Sequence, residues 1–186
     1  MKRPKSIKIE DTERILLHLR EQDSLIFRVC AETGLRISDV LDLRAWYLNK
    51  VLYVRERKTG KHRIVELSDE LYGLLEPIKQ SALRAYGGAG DKEQYAFPSA
   101  RAHGKPVHRS GYHRRLKKVC ALVGVDFSAH STRKLYAQEL MKKTGDIFAV
   151  QKALNHKFVS DTCTYLDIDL GALIGAATVQ KELQKK

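Results

Sequence analysis

The chain has 186 residues and a formal net charge of +12, which favours a polyanionic partner such as DNA, RNA or an anionic membrane surface. No apolar run approaches the roughly 20 residues that a membrane helix needs, and the basic N-terminus is followed by charged residues rather than by a secretory signal. Three cysteines, Cys30, Cys120 and Cys163, are too widely spaced for a zinc site or a redox motif. We therefore expect a protein of the reducing cytoplasm, with nucleic acid as the favoured partner.

The first part of the chain shows three helical patterns. Apolar residues at helical spacing predict one helix over residues 11–20 and a second that ends near Gly34, where glycine adopts a left-handed cap at low cost. Ser38 is a good N-cap residue and predicts the start of a third helix.

A β-hairpin follows these helices. Residues 51–55 and 62–67 alternate as strands around the turn Lys58-Thr59-Gly60-Lys61, so the tip of the hairpin is basic. Ser68 then predicts the cap of a further helix, which Gly87-Gly88-Ala89-Gly90 ends.

The second half of the chain is helical again after a long connection with a short strand at residues 95–97. The predicted helices there cover residues 109–123, 131–143, 146–154 and 160–166, with a tail from Leu170 onward. We therefore predict a mainly α fold with a small antiparallel β-sheet, in a single domain over residues 1–186.

Four stretches of this chain carry residues suited to phosphate chemistry. The first is the box Thr33-Gly34-Leu35-Arg36-Ile37-Ser38-Asp39-Val40-Leu41, and Lys58 follows in the hairpin turn. His130-Ser131-Thr132-Arg133 is the third, and Leu154-Asn155-His156 with Tyr165 is the fourth. Each alone is weak, because such residues usually lie on a solvated face or in a core. The interpretation depends on their conjunction and order.

In these four motifs the chain resembles the catalytic domain of the tyrosine recombinases, the phage integrase family. The resemblance implies a site-specific recombinase that cleaves and rejoins double-stranded DNA through a 3′-phosphotyrosyl intermediate. It implies no cofactor, metal or ATP. It also implies a protein associated with the nucleoid.

The resemblance also assigns roles to individual side chains. Two guanidiniums offer planar forks that match phosphate oxygens, which suits Arg36 and Arg133 as the clamp. Tyr165 is the expected nucleophile, with His130 as the candidate base. The remaining two roles are carried over from the family, with Lys58 as general acid and His156 as a hydrogen-bond donor to the phosphate.

One further residue is expected to support the site, and two positions depart from the family pattern. Asp39, one helical turn beyond Arg36, is expected to orient that arginine without reacting. Asn155 stands where the family usually has glycine, and Thr132 where it usually has leucine. Neither departure removes a reacting group, so both bear on local packing.

The expected DNA contacts are basic side chains of the hairpin tip and of the helix over residues 109–123, because their charge density suits phosphates. They are Lys61, Arg109, Arg114, Arg115, Lys117 and Lys118. A solvated basic face is the alternative interpretation.

The N-terminal core-binding domain of most integrases has no counterpart here. The chain is therefore expected to be either an excised catalytic domain or a short recombinase similar to the fimbrial-switch invertases. The resemblance implies a monomer when free, a homotetramer in the DNA synapse, and accessory DNA-bending or excision proteins. The C-terminal tail, residues 169–186, either passes to a neighbouring protomer or folds back onto its own domain.

The sequence is also compatible with two alternative functions. A type IB topoisomerase shares the catalytic plan but relaxes supercoils without exchanging partners. A non-catalytic DNA-binding regulator would keep the fold and lose the chemistry, although all six expected catalytic side chains are present.

Overall fold

A computed structural model describes residues 9–85, 93–169 and 171 of the chain. These residues form eight α-helices, one short 3₁₀ helix (Ala45–Tyr47) and one pair of strands. The helices are α1 (Ile9–His18), α2 (Glu21–Thr33), α3 (Ile37–Leu41), α4 (Asp69–Ala85), α5 (Arg109–Leu122), α6 (Ala129–Thr144), α7 (Ile147–Leu154) and α8 (Val159–Leu166). The strands are β1 (Val51–Arg55) and β2 (His62–Glu66), which pair antiparallel. The predicted class, mainly helical with a small antiparallel sheet, is confirmed.

The chain divides into two compact units, Met1–Leu135 and Tyr136–Lys186. The first has a core of buried aliphatic and aromatic side chains, among them Ile26, Phe27 and Leu75, from helices and strands along its length. The second has a smaller core around Ala137, Val150, Leu154 and Leu166. Within the described ranges, no helix is both long and apolar enough to cross a membrane.

The predicted ends of the helices are right at two places and wrong at one. Gly34 ends α2 in the left-handed conformation, with φ 62° and its N–H donating to the carbonyl of Cys30. Ser68 caps α4 by accepting from the N–H of Leu71 at 3.1 Å. Ser38 does not cap α3, because Arg36 is in the N-cap position in an extended conformation and the helix begins at Ile37.

The hairpin has one face in the core and one toward solvent. Leu52 of β1 lies opposite Val65 of β2, and both are buried. Tyr53 lies opposite Ile64 on the other face, and both are exposed. This period of two places side chains 52, 54 and 56 on the inward face.

Two predictions about the long connection have different outcomes. Residues 95–97 do not form a strand, since Tyr95 makes only an isolated bridge to Arg44 and Pro98 only one to Pro106. A proline has no N–H with which to extend the ladder. The predicted glycine break at residues 87–90 lies outside the described residues, as does the tail apart from Asp169 and Gly171.

A buried ion pair joins α5 to α2. Asp23 is 1% exposed, and its two oxygens accept from Nη2 and Nε of Arg115 at 2.6 and 2.7 Å. Arg20 adds a hydrogen bond of 3.0 Å. Burial raises the pKa of Asp23, but the hydrogen bonds and charges of Arg115 and Arg20 outweigh it and hold that pKa below its usual range. The carboxylate is therefore ionised and compensated at neutral pH.

Replacement of Arg115 is predicted to destabilise the fold. Arg115→Ala leaves the buried Asp23 carboxylate with one arginine instead of two, and we expect a loss of about 2–4 kcal/mol in the free energy of unfolding. Chemical denaturation monitored by circular dichroism measures this loss. Arg114→Ala, on the exposed side of the same helix, is the control and should change stability by less than about 0.5 kcal/mol. Equal stabilities of the two variants would contradict the structural role of Arg115.

Candidate active site

Four of the six expected catalytic side chains line one cleft of about 500 Å³ in the first unit. The described residues that line it are Arg36, Ile37, Ser38, Arg57, Lys58, Arg109, His130 and Arg133. Five of these residues are Arg or Lys, and the described lining contains no carboxylate. A cleft with this lining attracts anions and offers several donors to one phosphate.

Arg36 is held by a buried carboxylate that the sequence analysis did not identify. Its Nη1 donates to Oε2 of Glu56 at 2.7 Å, and Glu56 is fully buried. Burial raises the pKa of Glu56, but hydrogen bonds from Thr59 and Arg36 outweigh it and hold the pKa below its usual range. Period-two alternation could have revealed this residue, since it places an acid directly after the end of β1, in line with the inward-facing Leu52 and Val54.

The expected contact between Asp39 and Arg36 is corrected by the structure. Oδ1 of Asp39 accepts instead from the backbone N–H of Arg57 at 3.1 Å. Asp39 is 2% exposed, so the chain next to Lys58 is anchored to a buried side chain. The acid of the first motif therefore fixes the hairpin turn, and Glu56 is the acid that binds Arg36.

Arg133 is anchored by the end of α2. Its Nη1 donates to the carbonyl of Gly34, and its side chain is almost fully buried although it lines the cleft. Arg63 donates to the carbonyl of the preceding residue, Thr33, at 2.9 Å. The left-handed glycine thus ends the helix and presents its carbonyl to an arginine of the cleft.

Lys58 lies in a turn that is closed by hydrogen bonds. The N–H of Glu56 donates to the carbonyl of Lys61 at 2.9 Å, and the N–H of Gly60 donates to the carbonyl of Glu56 at 2.8 Å. Gly60 has φ 68°, which an L side chain adopts only at a cost. The lysine side chain itself is exposed and lines the cleft.

The surroundings of His130 favour the neutral form of its imidazole. Desolvation lowers its pKa from the usual 6.5, and the positive charges of Arg109, Arg133 and Arg36 lower it further. The imidazole therefore remains unprotonated to a lower pH than an isolated histidine would. A neutral ring can accept a proton, as the role of a base requires.

His156 and Tyr165 are neighbours within the second unit. Their rings meet edge to face, with centroids 5.6 Å apart and planes at 84°. Nδ1 of His156 lies 3.0 Å from the hydroxyl of the buried Thr162, which fixes the orientation of the imidazole. Tyr165 is half-buried near the C-terminal end of α8.

Both departures from the family pattern have a physical account. Asn155 ends α7 in the left-handed conformation, with φ 56°, where asparagine is the usual substitute for glycine. Thr132 is buried and hydrogen-bonded to the thiol of Cys30. Burial raises the pKa of that thiol to about 12, so the pair is a neutral contact in the core.

The basic face of α5 is smaller than the sequence indicates. Arg114, Lys117 and Lys118 are exposed, and Arg109 lines the cleft. Arg115 pairs with Asp23, so its guanidinium is engaged within the fold, and its contact with DNA stays a prediction. Lys61 is exposed in the hairpin turn but is not among the described residues that line the cleft.

The chain matches the model of the phage integrase family over residues 5–170. The chain belongs to the phage integrase family, the tyrosine recombinases. This integrase-family chain is 30% identical over 165 residues to the probable integrase/recombinase YoeC of Bacillus subtilis, covering 87% of this chain and 86% of YoeC. It is 29% identical to the tyrosine recombinase XerA of Saccharolobus solfataricus, covering 83% of this chain but 48% of XerA. The chain therefore spans most of YoeC and about half of XerA.

Solved structures show the same fold for this integrase-family chain. A crystal structure of XerA recombinase matches with a TM-score of 0.73 at 22% identity, over 97% of this chain and 66% of that one. The XerH site-specific recombinase, in a post-cleavage complex with a palindromic difH substrate, matches with a TM-score of 0.70 at 20% identity. That match covers 97% of this chain and 54% of XerH.

The charges around His130 yield a test of the cleft. Arg109→Gln removes the charge that contributes most, after desolvation, to the lowered pKa of His130, and we expect that pKa to rise. NMR titration of the imidazole resonances in the DNA-free chain measures it. Arg114→Gln, on the exposed side of α5, serves as the control and should leave the titration unchanged. An unchanged pKa in Arg109→Gln would show that the charge of Arg109 does not reach His130.

Proposed function

We propose that this chain is the catalytic part of a site-specific DNA recombinase that cleaves and rejoins strands through a 3′-phosphotyrosyl intermediate, without metal or ATP. The observation that carries the proposal is the cleft that gathers Arg36, Lys58, His130 and Arg133. These residues come from separate motifs of the sequence. Family membership supports the same conclusion, and the similar XerH was solved with a difH DNA substrate.

The proposed chemistry begins at the scissile phosphate. Arg36 and Arg133 bind its non-bridging oxygens and stabilise the charge that grows on them in the transition state. The hydroxyl of Tyr165 loses its proton to His130, and its oxygen forms a bond to phosphorus. The bond from phosphorus to the 5′ oxygen breaks, and Lys58 gives that oxygen a proton. The products are a 3′-phosphotyrosyl ester and a free 5′ hydroxyl.

His156 acts in this scheme as a hydrogen-bond donor to the phosphate. Its ring is oriented by Thr162 and lies against Tyr165, which supports a joint role for the two side chains. Attack by a 5′ hydroxyl on the phosphotyrosyl ester reverses the first step and releases Tyr165. Since the ester conserves the bond energy, rejoining to the same or another strand requires no ATP.

The proposed partner is double-stranded DNA, bound by phosphate contacts from Arg109, Arg114, Lys117 and Lys118. Lys61 at the hairpin tip is proposed as a further contact. The recombining species is proposed to be a homotetramer on paired sites, formed from monomers, with accessory DNA-bending or excision proteins. The proposed location is the nucleoid.

Loss of the Tyr165 hydroxyl is expected to abolish covalent capture of DNA. With a nicked suicide substrate, Tyr165→Phe should give no protein–DNA adduct on a denaturing gel, since the attacking oxygen is gone. Noncovalent binding measured by gel shift should remain. Tyr136→Phe, at a half-buried tyrosine of the same unit, is the control and should still form the adduct. An adduct with Tyr165→Phe would assign the nucleophile elsewhere.

The leaving group tests the role of Lys58. Lys58→Ala should slow cleavage of an ordinary substrate by about 10²- to 10⁴-fold, the usual contribution of general acid catalysis. A 5′-bridging phosphorothiolate should restore much of the rate, because sulfur leaves without a proton. Rates on the two substrates are compared in single-turnover cleavage assays. Equal defects on both would remove Lys58 from the acid role.

A further inference from the structure

Glu56 occupies the centre of the polar network behind the cleft. It is fully buried, and its Oε2 accepts two hydrogen bonds, from Nη1 of Arg36 at 2.7 Å and from the hydroxyl of Thr59 at 2.8 Å. Its Oε1 lies 3.7 Å from Nη1 of Arg63. One carboxylate oxygen therefore links an arginine of the cleft to the turn residue that follows Lys58.

Thr59 transmits this contact to the hairpin turn. Its side-chain oxygen donates to Glu56 and also accepts from the N–H of Lys61 at 3.3 Å. On the other side of Lys58, the N–H of Arg57 is held by Asp39. The backbone on both sides of the lysine is thus fixed to buried acids, one of which also binds Arg36.

The charge of Glu56 matters as much as its geometry. Arg36 and Arg63 lie next to Glu56, and the charge of Arg133 also acts on it, so three positive charges that repel each other surround one carboxylate. An ionised Glu56 compensates part of this charge, and its lowered pKa shows that the ionised form is favoured. A glutamine at this position keeps the shape and loses the compensation.

We propose that Glu56 and Thr59 are positioning residues that set the Lys58 turn and the Arg36 guanidinium relative to each other through the shared Oε2 atom of Glu56. Neither touches the substrate in this scheme, and both act through the side chains that do. The inference rests on the proposed function for the roles of Lys58 as general acid and of Arg36 as a ligand of the phosphate. It assigns Arg36 and Lys58 a common support, so that disturbance of one reaches the other.

The leaving-group assay distinguishes positioning from general stability. Thr59→Val keeps the shape of an exposed side chain and removes the donor to Glu56. We expect it to slow cleavage of an all-oxygen substrate by about tenfold, in line with loss of a hydrogen bond to a charged group. On a 5′-bridging phosphorothiolate, most of that defect should disappear, because the reaction no longer needs Lys58. Thr59→Ser keeps the hydroxyl and should cleave at the wild-type rate.

Glu56→Gln should behave differently, because it disturbs Arg36 as well as the turn. We expect it to slow cleavage of both substrates, by about 10- to 100-fold on the ordinary one, and to retain a clear defect on the phosphorothiolate. Glu66→Gln is the matched control, an exposed acid of the same hairpin, and should leave both rates unchanged. Circular dichroism and thermal unfolding check that each variant is folded.

The double variant tests whether the two residues act as one unit. If Thr59 works through Glu56, Glu56→Gln combined with Thr59→Val should be no slower than Glu56→Gln alone. Multiplicative defects, or a Thr59→Val defect that is equal on both substrates, would overturn the proposal. If the wild-type chain gives no covalent adduct, or Lys58→Ala is not rescued by the phosphorothiolate, the proposed function fails instead. These two failures are therefore distinguishable.

Discussion

The first unit depends on one constraint: the positively charged side chains that line the cleft repel each other and must be held in position. Each of the two arginines proposed to bind phosphate is held by an acceptor of its own. Arg36 has a buried carboxylate, and Arg133 has a backbone carbonyl at the end of α2. The carboxylate is hidden behind the cleft, so the surface offered to a ligand stays positive. A buried acid, Glu56, therefore holds a cationic side chain of the cleft without lining the surface to which an anion would bind.

The basic residues of α5 also fall into two groups, one that compensates a buried acid and one that faces solvent. Arg115 turns inward and compensates Asp23, whereas Arg114, Lys117 and Lys118 face solvent. A helix advances 100° per residue, so adjacent arginines can serve opposite purposes. Arg115 contributes to cohesion of the fold, and its neighbours are available to the phosphates of a nucleic acid. Formal charge does not distinguish these two uses.

Local patterns in the sequence predicted most of the helices and both strands. The motifs identified four of the residues that line the cleft. Gly34, the hairpin and the cap at Ser68 were predictable because each depends on the chemistry of nearby residues. The partner of Arg36 was missed because Asp39 is near in sequence and Glu56 is near only in space. The pairing of Arg115 with Asp23 was missed for the same reason, since the two residues lie 92 positions apart in sequence. Long-range pairing leaves little trace in a single sequence unless, as at Glu56, it breaks an alternating apolar pattern.

Gly34 illustrates how closely fold and site are joined in this unit. Its left-handed backbone ends α2, and the same peptide unit offers its carbonyl to Arg133. A β-branched or bulky side chain there would strain the cap and shift the acceptor together. In a saturation mutagenesis screen, cellular abundance and recombination would therefore fall in parallel at position 34, whereas at the exposed Lys58 only recombination would fall.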